Sequence, residues 1–222
     1  MIDMHTHILP MVDDGAKTFE EALEMLKMEF EQGFRRIVLT PHVQNRVQKV
    51  SSKELNSRFE KFQAYVGEHL PEIKLYLGAE VKYDALKTDA PYERYVFQGT
   101  KYLLMEFSVK SPEPIVDCLY DLVAKGFKPI LAHVERYDYL KLEDVIRIRQ
   151  DGSLIQVNAG AILGTDGFSI KRRAMKYINE GLVDLIASDT HNTKSRKPNV
   201  LPALEKVAKK YNSNKLKEFR YE

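Results

Sequence analysis

The residues best suited to chemistry stand at the start of the chain, in the stretch MIDMHTHILPMVDDG. His5 and His7 are two positions apart after a short apolar run, and Asp13 and Asp14 follow in the next loop. Side chains two positions apart on a strand point to the same face, so both imidazoles could reach one point. For two histidines alone, a polar, exposed terminus is the better explanation. The hypothesis of a metal site therefore depends on partners elsewhere in the chain.

Similar side chains stand at or just beyond the carboxyl ends of nearly all the other predicted strands, where α/β barrels assemble their active sites. The candidate metal ligands are His5, His7, Asp14, His42, Glu80, Glu106, His133, Asp189 and His191. Only the sixth strand ends in a neutral side chain, that of Asn158. Any one of these residues is explained as well by a hydrogen-bonded rim position, a salt bridge or a turn. Together they favour bound cations, because desolvating so many carboxylates without cations would be costly.

Imidazole nitrogen mixed with carboxylate oxygen suits zinc, manganese or iron better than calcium or magnesium. At roughly three or four protein ligands per ion, the candidates would hold about two or three ions. Such a site generates hydroxide near neutral pH and binds the oxygens of an in-line displacement at phosphorus. Arg136, Arg196 and Arg46 each lie near a candidate histidine and could bind phosphoryl oxygens. A solvated surface arginine is the alternative for each, and Arg136, in AHVERY, is the strongest candidate.

Alternating strands and helices are predicted to position these residues. Seven segments rich in Val, Ile and Leu show little alternation, which is typical of parallel strands buried on both faces. They are IDMH, RRIVLT, IKLYLGAE, KYLLMEF, KPILAHV, SLIQVNA and VDLIASD. A first helix is predicted from the capping-box pair Thr18 and Glu21 to Gly33, and a second begins near Ser51 and Glu54. Further helices are predicted at 113–125, 141–150, 169–180 and 199–211.

Repeated β-then-α units predict an α/β fold with a parallel sheet. Seven strands without a glycine-rich nucleotide turn favour a small TIM-like (β/α)7 barrel, and a doubly wound sheet is the alternative. A chain of 222 residues without an evident linker is expected to form a single domain over residues 1–222.

Composition excludes several classes of function. The hydrophobic share of 44% and charged share of 30% are those of an ordinary globular protein, and a net charge of +2 gives no reason to expect nucleic-acid binding. No apolar run has membrane-spanning length, and the start of the chain lacks a charged region followed by an apolar one. A single cysteine cannot form an internal disulfide, so a cytoplasmic location is expected.

Six stretches carry a resemblance to a known family: MIDMHTHILPMVDDG, TPH, GAE, MEFS, AHVERYD and ASDTHN. In this order they resemble the motifs of the polymerase-and-histidinol-phosphatase (PHP) superfamily, and within it the bacterial protein-tyrosine phosphatases of the CpsB/YwqE type. The match extends from Met1 to about Arg196. The resemblance implies the PHP fold, a distorted seven-stranded barrel, with three divalent metal ions. Manganese is the expected metal, and iron, zinc or magnesium are alternatives.

By motif, the resemblance divides the ligands among three ions: His5, His7, Glu80 and Asp189; Glu80, Glu106 and His133; and Asp14, His42 and His191. It assigns Arg136 and Arg196 to the phosphate. It implies hydrolysis of phosphotyrosine, and direct attack on phosphorus by a metal-bridging hydroxide is the expected mechanism. The implied substrate is the tail of a membrane-associated bacterial tyrosine kinase that controls capsule or exopolysaccharide synthesis.

The sequence departs from the family pattern after the second motif. Val43 and Gln44 stand where close relatives often carry histidine or arginine, and Arg46 is the candidate substitute. The chain also ends at EFRYE, earlier than relatives whose last helix continues, which leaves any oligomer contact there open.

Three alternatives compete with a tyrosine phosphatase of this type. A small-molecule phosphatase such as histidinol-phosphate phosphatase would use the same metals. A non-catalytic metal-binding regulatory module would bind metal without turnover, and a PHP-type exonuclease is disfavoured by the balanced charge. A cysteine-dependent phosphatase is excluded, because the position six residues after Cys118 is Ala124 rather than arginine.

Overall fold

Strands and helices alternate along the part of the chain that the computed structural model describes, residues 1–44, 47–84 and 91–210. The strands are β1 (Ile2–Thr6), β2 (Arg36–Leu39), β3 (His42–Val43), β4 (Lys74–Leu77), β5 (Glu80–Lys82), β6 (Tyr102–Glu106), β7 (Lys128–Leu131), β8 (Leu154–Asn158) and β9 (Leu185–Ala187). The α-helices are α1 (Phe19–Glu31), α2 (Ser52–His69), α3 (Ile115–Ala124), α4 (Leu142–Gln150), α5 (Ala159–Leu163), α6 (Phe168–Asn179) and α7 (Val200–Lys210). Single 3-10 turns cover Tyr92–Arg94 and Val134–Arg136.

All seven predicted strands are present, and the main difference concerns the predicted strand IKLYLGAE. The chain leaves β4 at Leu77 and enters β5 at Glu80, so one predicted strand becomes two. Gly78 lies at the break, and a Cβ there would overlap the ring of Phe97. The two-residue strand β3 and the short helix α5 were not predicted, because segments of two to five residues carry too little periodicity to be recognised.

The strands pair in parallel in two sheets. One sheet has the order β1-β2-β4 and the other β3-β5-β6-β7-β8-β9. Strand order follows chain order in both, without the reversal that defines a doubly wound sheet. The first and last strands also adjoin at their carboxyl ends, where Asp189 N–H donates to His5 O at 2.9 Å. The architecture is therefore α/β with parallel sheets that curl toward each other.

The capping signals predicted for the first two helices are present to different extents. At α1, Thr18 accepts from Glu21 N at 3.1 Å, but the Glu21 carboxylate accepts from Lys17 N at 2.9 Å, so only half of the capping box forms. At α2, both halves form between Ser51 and Glu54. Among the helices of the described residues, none is long and apolar enough to cross a membrane.

The strands bury side chains on both faces, as their lack of alternation predicted. A small cluster joins the strands to one another through Met4, Val38, Phe97, Leu104, Ile130, Ala132 and Leu185. A much larger cluster packs the helices against the strands and includes Phe34, Phe62 and Phe107, all essentially inaccessible to solvent. The single domain over 1–222 stays a prediction, since 211–222 lie outside the described residues.

Two buried carboxyl groups lie side by side between β1 and α1. Asp3 and Glu29 are both 0% exposed. Asp3 accepts hydrogen bonds from His5 N and Ser188 N at 3.2 Å, whereas Glu29 has only the Asp3 carboxyl as a hydrogen-bonding neighbour among the described residues. Burial, and then the neighbouring Asp3, raises the pKa of Glu29 well above its usual value. The native state therefore keeps a proton that the unfolded chain releases.

We expect a Glu29→Gln protein to be more stable than the wild type at pH 8, by about 1–2 kcal/mol. Because the folded pKa of Glu29 is raised, the native state binds more protons than the unfolded state above pH of about 4.3, and its stability falls as pH rises. Urea unfolding at pH 5 and pH 8 measures this, with Glu31→Gln on the exposed face of the same helix as control. Equal pH dependence in wild type and Glu29→Gln would contradict the prediction.

Candidate metal centre

The nine predicted metal ligands lie together at the carboxyl ends of the strands. His5 lies on β1, His7 directly follows that strand and Asp14 lies in the loop beyond, whereas His42 and Glu80 are the first residues of the short strands β3 and β5. The other four are Glu106 at the end of β6, His133 after β7, and Asp189 and His191 after β9. Parallel strands end at the same edge, so residues far apart in sequence are brought to one point. All nine are buried or partly buried except Asp14.

Glu80 lies at the centre of this group. Its Oε2 atom is 2.8 Å from His42 Nδ1, 3.4 Å from His7 Nε2 and 3.5 Å from His5 Nε2. Its Oε1 atom is 2.9 Å from His133 Nε2. The side chain is 1% exposed. One buried carboxylate is thus surrounded by four imidazoles, an arrangement suited to bridging two cations.

Asp14 and Glu106 supply carboxylate oxygens at the outer edge of the group. Asp14 Oδ1 is 3.6 Å from His191 Nε2 and 3.7 Å from His42 Nε2. Glu106 Oε2 is 3.7 Å from His42 Nδ1. Burial, and then the charge of Glu80, raises the pKa of Glu106. A divalent cation between Glu80 and Glu106 would remove that repulsion.

Asp189 uses its two oxygens differently. Oδ1 is 3.5 Å from His5 Nε2 and 3.4 Å from His7 Nε2. Oδ2 lies 3.1 Å from Arg136 Nη2 and 2.7 Å from Arg196 Nη2. One oxygen therefore faces the ligand histidines, and the other holds the two predicted phosphate-binding arginines.

Four ligand histidines are oriented by a partner at Nδ1, which leaves Nε2 facing the other ligands. The Nδ1 contacts are His5 with Gln156 Oε1 at 3.1 Å, His7 with Asp13 Oδ2 at 2.8 Å, His133 with Tyr137 Oη at 3.3 Å, and His191 with Asp189 O at 3.0 Å. Metal-binding histidines in proteins are held by such hydrogen bonds through the second ring nitrogen. The pattern is what a metal centre with Nε2 ligands requires.

Two of the buried carboxylates, those of Asp13 and Glu80, are held in their ionised form by the histidines. Burial alone would raise the pKa of Asp13, but the charge of His7 outweighs it and lowers that pKa to about 2. Burial likewise opposes ionisation of Glu80, whereas His42 and His5 hold the pKa of Glu80 well below its usual range. Ionised carboxylates are the form that binds divalent cations.

Two of the histidines are held neutral. Burial, followed by the nearby Arg136 guanidinium, lowers the pKa of His133 to about 4. Burial and the charge of His7 lower the pKa of His191 to about 2. A neutral imidazole is the metal-binding form, so these two rings need lose no proton to bind a cation near pH 7.

Several observations show that this donor set fits divalent metal ions. Three groups of ligand atoms lie within 4.8 Å of one another: His5, His7 and Glu80; His42, Glu80 and Glu106; and His7, Asp14, His42 and His191. Glu80 Oε2 and His191 Nε2 are buried and form no well-aligned hydrogen bond among the described residues, although His42 Nδ1 lies 2.8 Å from Glu80 Oε2. Buried polar atoms are rarely left unsatisfied, and a bound cation would satisfy both. His133 and Asp189 fall outside these three groups but contact Glu80 and His5, respectively.

Sequence reasoning missed several residues that position the ligands. Asp13 accepts hydrogen bonds from His42 N at 3.0 Å and Gly15 N at 2.9 Å as well as from His7. A Cβ on Gly15 would overlap the His7 carbonyl oxygen, so glycine lets this loop return to the strand end. Tyr137 was missed as well. The acidic pair in the first motif was a signal for Asp13, whereas no feature of the sequence pointed to the contact of Tyr137 with His133.

Two of the three predicted phosphate-binding arginines lie among the residues that the structure describes. The side chains of Arg136 and Arg196 are 30% and 39% exposed, so their guanidinium groups are accessible beside the ligands. Arg46 lies outside the described residues. Val43 is 1% exposed and packs in the core. That position therefore contributes packing rather than a substrate contact.

Cys118 and the sixth histidine, His69, lie away from the centre. Cys118 is half-buried in α3, and burial raises the pKa of its thiol to about 12. Such a thiol is not a nucleophile near neutral pH. His69 stacks on Tyr65 at the end of α2, with Nδ1 2.8 Å from Tyr65 O.

Comparisons with known proteins agree on one family. The sequence profile of the family described as Capsular polysaccharide synthesis, CpsB/CapC matches residues 1–222. The tyrosine-protein phosphatase CpsB of Streptococcus pneumoniae is 33% identical over 98% of this chain and 94% of its own length. The tyrosine-protein phosphatase YwqE of Bacillus subtilis is 31% identical over 96% of this chain and 86% of its own length.

Solved structures give the same result. A chain from the crystal structures of YwqE of Bacillus subtilis and CpsB of Streptococcus pneumoniae, which are metal-dependent tyrosine phosphatases, superposes with a TM-score of 0.89. It is 28% identical and covers 98% of this chain and 90% of its own. Histidinol phosphate phosphatase of Lactococcus lactis has a TM-score of 0.60 at 11% identity, covering 95% of this chain and 92% of its own. At that identity the likeness shows a shared fold alone.

Proposed function

Because the chain belongs to the CpsB/CapC family of capsular polysaccharide synthesis proteins, we propose that it is a metal-dependent protein-tyrosine phosphatase acting in that synthesis. The observation that carries the proposal is the convergence of buried imidazoles and carboxylates on Glu80, beside two accessible arginines. Metal ligands and phosphate-binding groups thus meet at one point, as phosphomonoester hydrolysis requires. Phosphotyrosine on a protein is the substrate.

We propose three divalent ions, manganese in the first instance, with iron, zinc or magnesium as alternatives. His5, His7, Glu80 and Asp189 would hold one, Glu80, Glu106 and His133 the second, and Asp14, His42 and His191 the third. The converging donor atoms support this division in part: His5, His7 and Glu80 form one group, and Asp14, His42 and His191 lie together in another. Glu80 and Glu106 are grouped with His42, whereas His133 is 2.9 Å from Glu80 Oε1. Bound divalent ions supply a hydroxide nucleophile near neutral pH and neutralise charge on the phosphoryl oxygens.

The arginines bind the phosphoryl group in this proposal. Arg136 and Arg196 each use one Nη2 to contact Asp189, which leaves the rest of each guanidinium fork for the substrate. A guanidinium fork matches the geometry of phosphoryl oxygens and carries a fixed positive charge. Arg136 would stabilise charge that develops on the equatorial oxygens, and Arg196 would orient the group. Arg46 is a third candidate for phosphate binding.

The tyrosine leaving group requires little general-acid catalysis from the protein. The tyrosine phenolate has a conjugate-acid pKa near about 10, so it can leave without a strong general acid. We therefore propose direct displacement without a phosphoenzyme. The protein substrate would be the tail of a membrane-associated bacterial tyrosine kinase.

We also propose that the two sheets form one distorted seven-stranded barrel. Gly78 N–H donates to Leu39 O at 2.9 Å and Glu80 N–H donates to Pro41 O at 3.0 Å, which links the strands across the breaks after β2 and β4. His7 N–H donates to Thr190 O at 2.9 Å at the opposite side. Counting β2 with β3 and β4 with β5 leaves seven strand positions around the ligands.

The test compares phosphate release from a phosphotyrosine peptide and from histidinol phosphate by protein purified without chelator and supplied with manganese. We expect kcat/KM to favour the peptide by about tenfold or more, because the two substrates share only the phosphoryl group. EDTA should abolish the activity, and added manganese should restore it.

Preference for histidinol phosphate would overturn the substrate while keeping the metal chemistry. Binding of metal without turnover of either substrate would identify a regulatory module. Activity that survives EDTA treatment would contradict the metal-dependent mechanism.

A further inference from the structure

Two neutral amides lie among the charged ligands at the end of β8. Gln156 is 1% exposed and Asn158 is 2% exposed. They occupy the one predicted strand end that carries no candidate ligand. Buried amides are retained where every donor and acceptor has a partner, so the question is what these two residues bind.

The directions of their hydrogen bonds follow from one backbone group. His133 N–H can only donate, and it lies 2.8 Å from Gln156 Oε1, which fixes that atom as the carbonyl oxygen. The Gln156 amide nitrogen therefore donates to Asn158 Oδ1 at 2.8 Å. Asn158 Nδ2 in turn donates to Asp189 Oδ2 at 2.7 Å. The chain of bonds has a single direction from His133 to Asp189.

This direction determines which nitrogen of His5 carries a proton. Gln156 Oε1 has no hydrogen, so the 3.1 Å contact with His5 Nδ1 requires Nδ1 to be the donor. In the neutral ring the other nitrogen, Nε2, then carries a lone pair. That atom is 3.5 Å from both Glu80 Oε2 and Asp189 Oδ1 and faces the proposed metal position.

The same chain of hydrogen bonds gives the two carboxylate oxygens of Asp189 different partners. Oδ2 accepts from Asn158, and it also contacts Arg136 and Arg196. Three donors saturate this oxygen and leave Oδ1 for a cation. A carboxylate at either amide position would break the arrangement, since it could not donate onward and would add a negative charge beside Asp189.

We propose that Gln156 and Asn158 are positioning residues for the metal centre: they fix the Nδ1-protonated tautomer of His5 and reserve Asp189 Oδ1 for a metal ion. This inference rests on the proposed metal site, but it makes no use of the substrate. Outer partners of metal ligands orient them, and their loss weakens metal binding. This role explains why β8 ends in neutral amides rather than in a metal ligand.

The experiment measures zinc affinity by competition with a chelating dye, and the His5 ring by ¹⁵N NMR of the zinc-loaded protein. Gln156→Met, which keeps the volume but removes the acceptor, should weaken zinc binding about 10- to 100-fold and remove or shift the His5 Nδ1–H resonance. Asn158→Leu should weaken zinc binding while leaving the His5 resonance in place. Ser153→Ala, a buried change just before β8, is the control and should alter neither quantity.

If Gln156→Met fails to fold, a second substitution at the same position still tests the proposal. Gln156→Glu keeps the acceptor for His5 but cannot donate to Asn158, so it should retain the His5 Nδ1–H resonance and still lose zinc affinity. Wild-type zinc affinity in Gln156→Met or Asn158→Leu, or an equal loss in Ser153→Ala, would overturn the proposal. These readouts require no turnover, so a failure of the phosphatase assay leaves them intact.

Discussion

Replacing Glu80 by glutamine is expected to lower phosphotyrosine phosphatase activity by about a thousandfold, or about 4 kcal/mol in the activation barrier. The reason is the position of this carboxylate between His42 and His133, with Nδ1 of the former 2.8 Å from Oε2 and Nε2 of the latter 2.9 Å from Oε1. Glutamine keeps the shape but removes the negative charge that two cations would share. We therefore expect the variant to bind fewer manganese ions than the wild type.

Metal content by elemental mass spectrometry and kcat/KM on a phosphotyrosine peptide measure both effects in one preparation. Glu68→Gln, at an exposed position on α2, makes the same chemical change away from the site and should match the wild type. A Glu80→Gln protein with full metal content and wild-type turnover would contradict the bridging role. Circular dichroism of the variant separates loss of metal from loss of fold.

Removal of the Arg136 side chain is expected to lower kcat by about a hundredfold while leaving metal content unchanged. Asp189 Oδ2 keeps two other donors in this variant, Arg196 at 2.7 Å and Asn158 at 2.7 Å, so the carboxylate stays in place. The loss therefore reports the missing contact with phosphoryl oxygens. Arg136→Lys should recover only part of the activity, because lysine keeps the charge but lacks the two-pronged fork.

Arg147→Ala is the matched control for Arg136→Ala. Arg147 lies on α4, is 61% exposed and pairs only loosely with Asp151 at 3.6 Å, so its removal should leave kcat unchanged. Wild-type turnover by Arg136→Ala with a full complement of metal would remove this arginine from the mechanism. A fall in metal content instead of kcat would assign Arg136 to the support of Asp189.

The strand ends could be predicted because two kinds of local information coincide there. Buried parallel strands appear as short runs of apolar residues, and the polar residue that ends each run is visible in the sequence. His42, Glu106 and His133 were found in this way. The break between β4 and β5 was not predicted, and the contact found there, the Phe97 ring against Gly78, joins residues too far apart in sequence to leave a local pattern.

The sequence by itself determined the types of metal ligand, their order along the chain and the family to which the chain belongs. Only the tertiary structure decided how those ligands are oriented: which nitrogen of His5 faces the centre, which oxygen of Asp189 holds the arginines, and why β8 ends in amides. The physical reason is that residue type is a local property, whereas a buried hydrogen bond depends on a partner brought close by folding. Gln156 looks ordinary in the sequence and becomes a positioning residue because His5 lies against it.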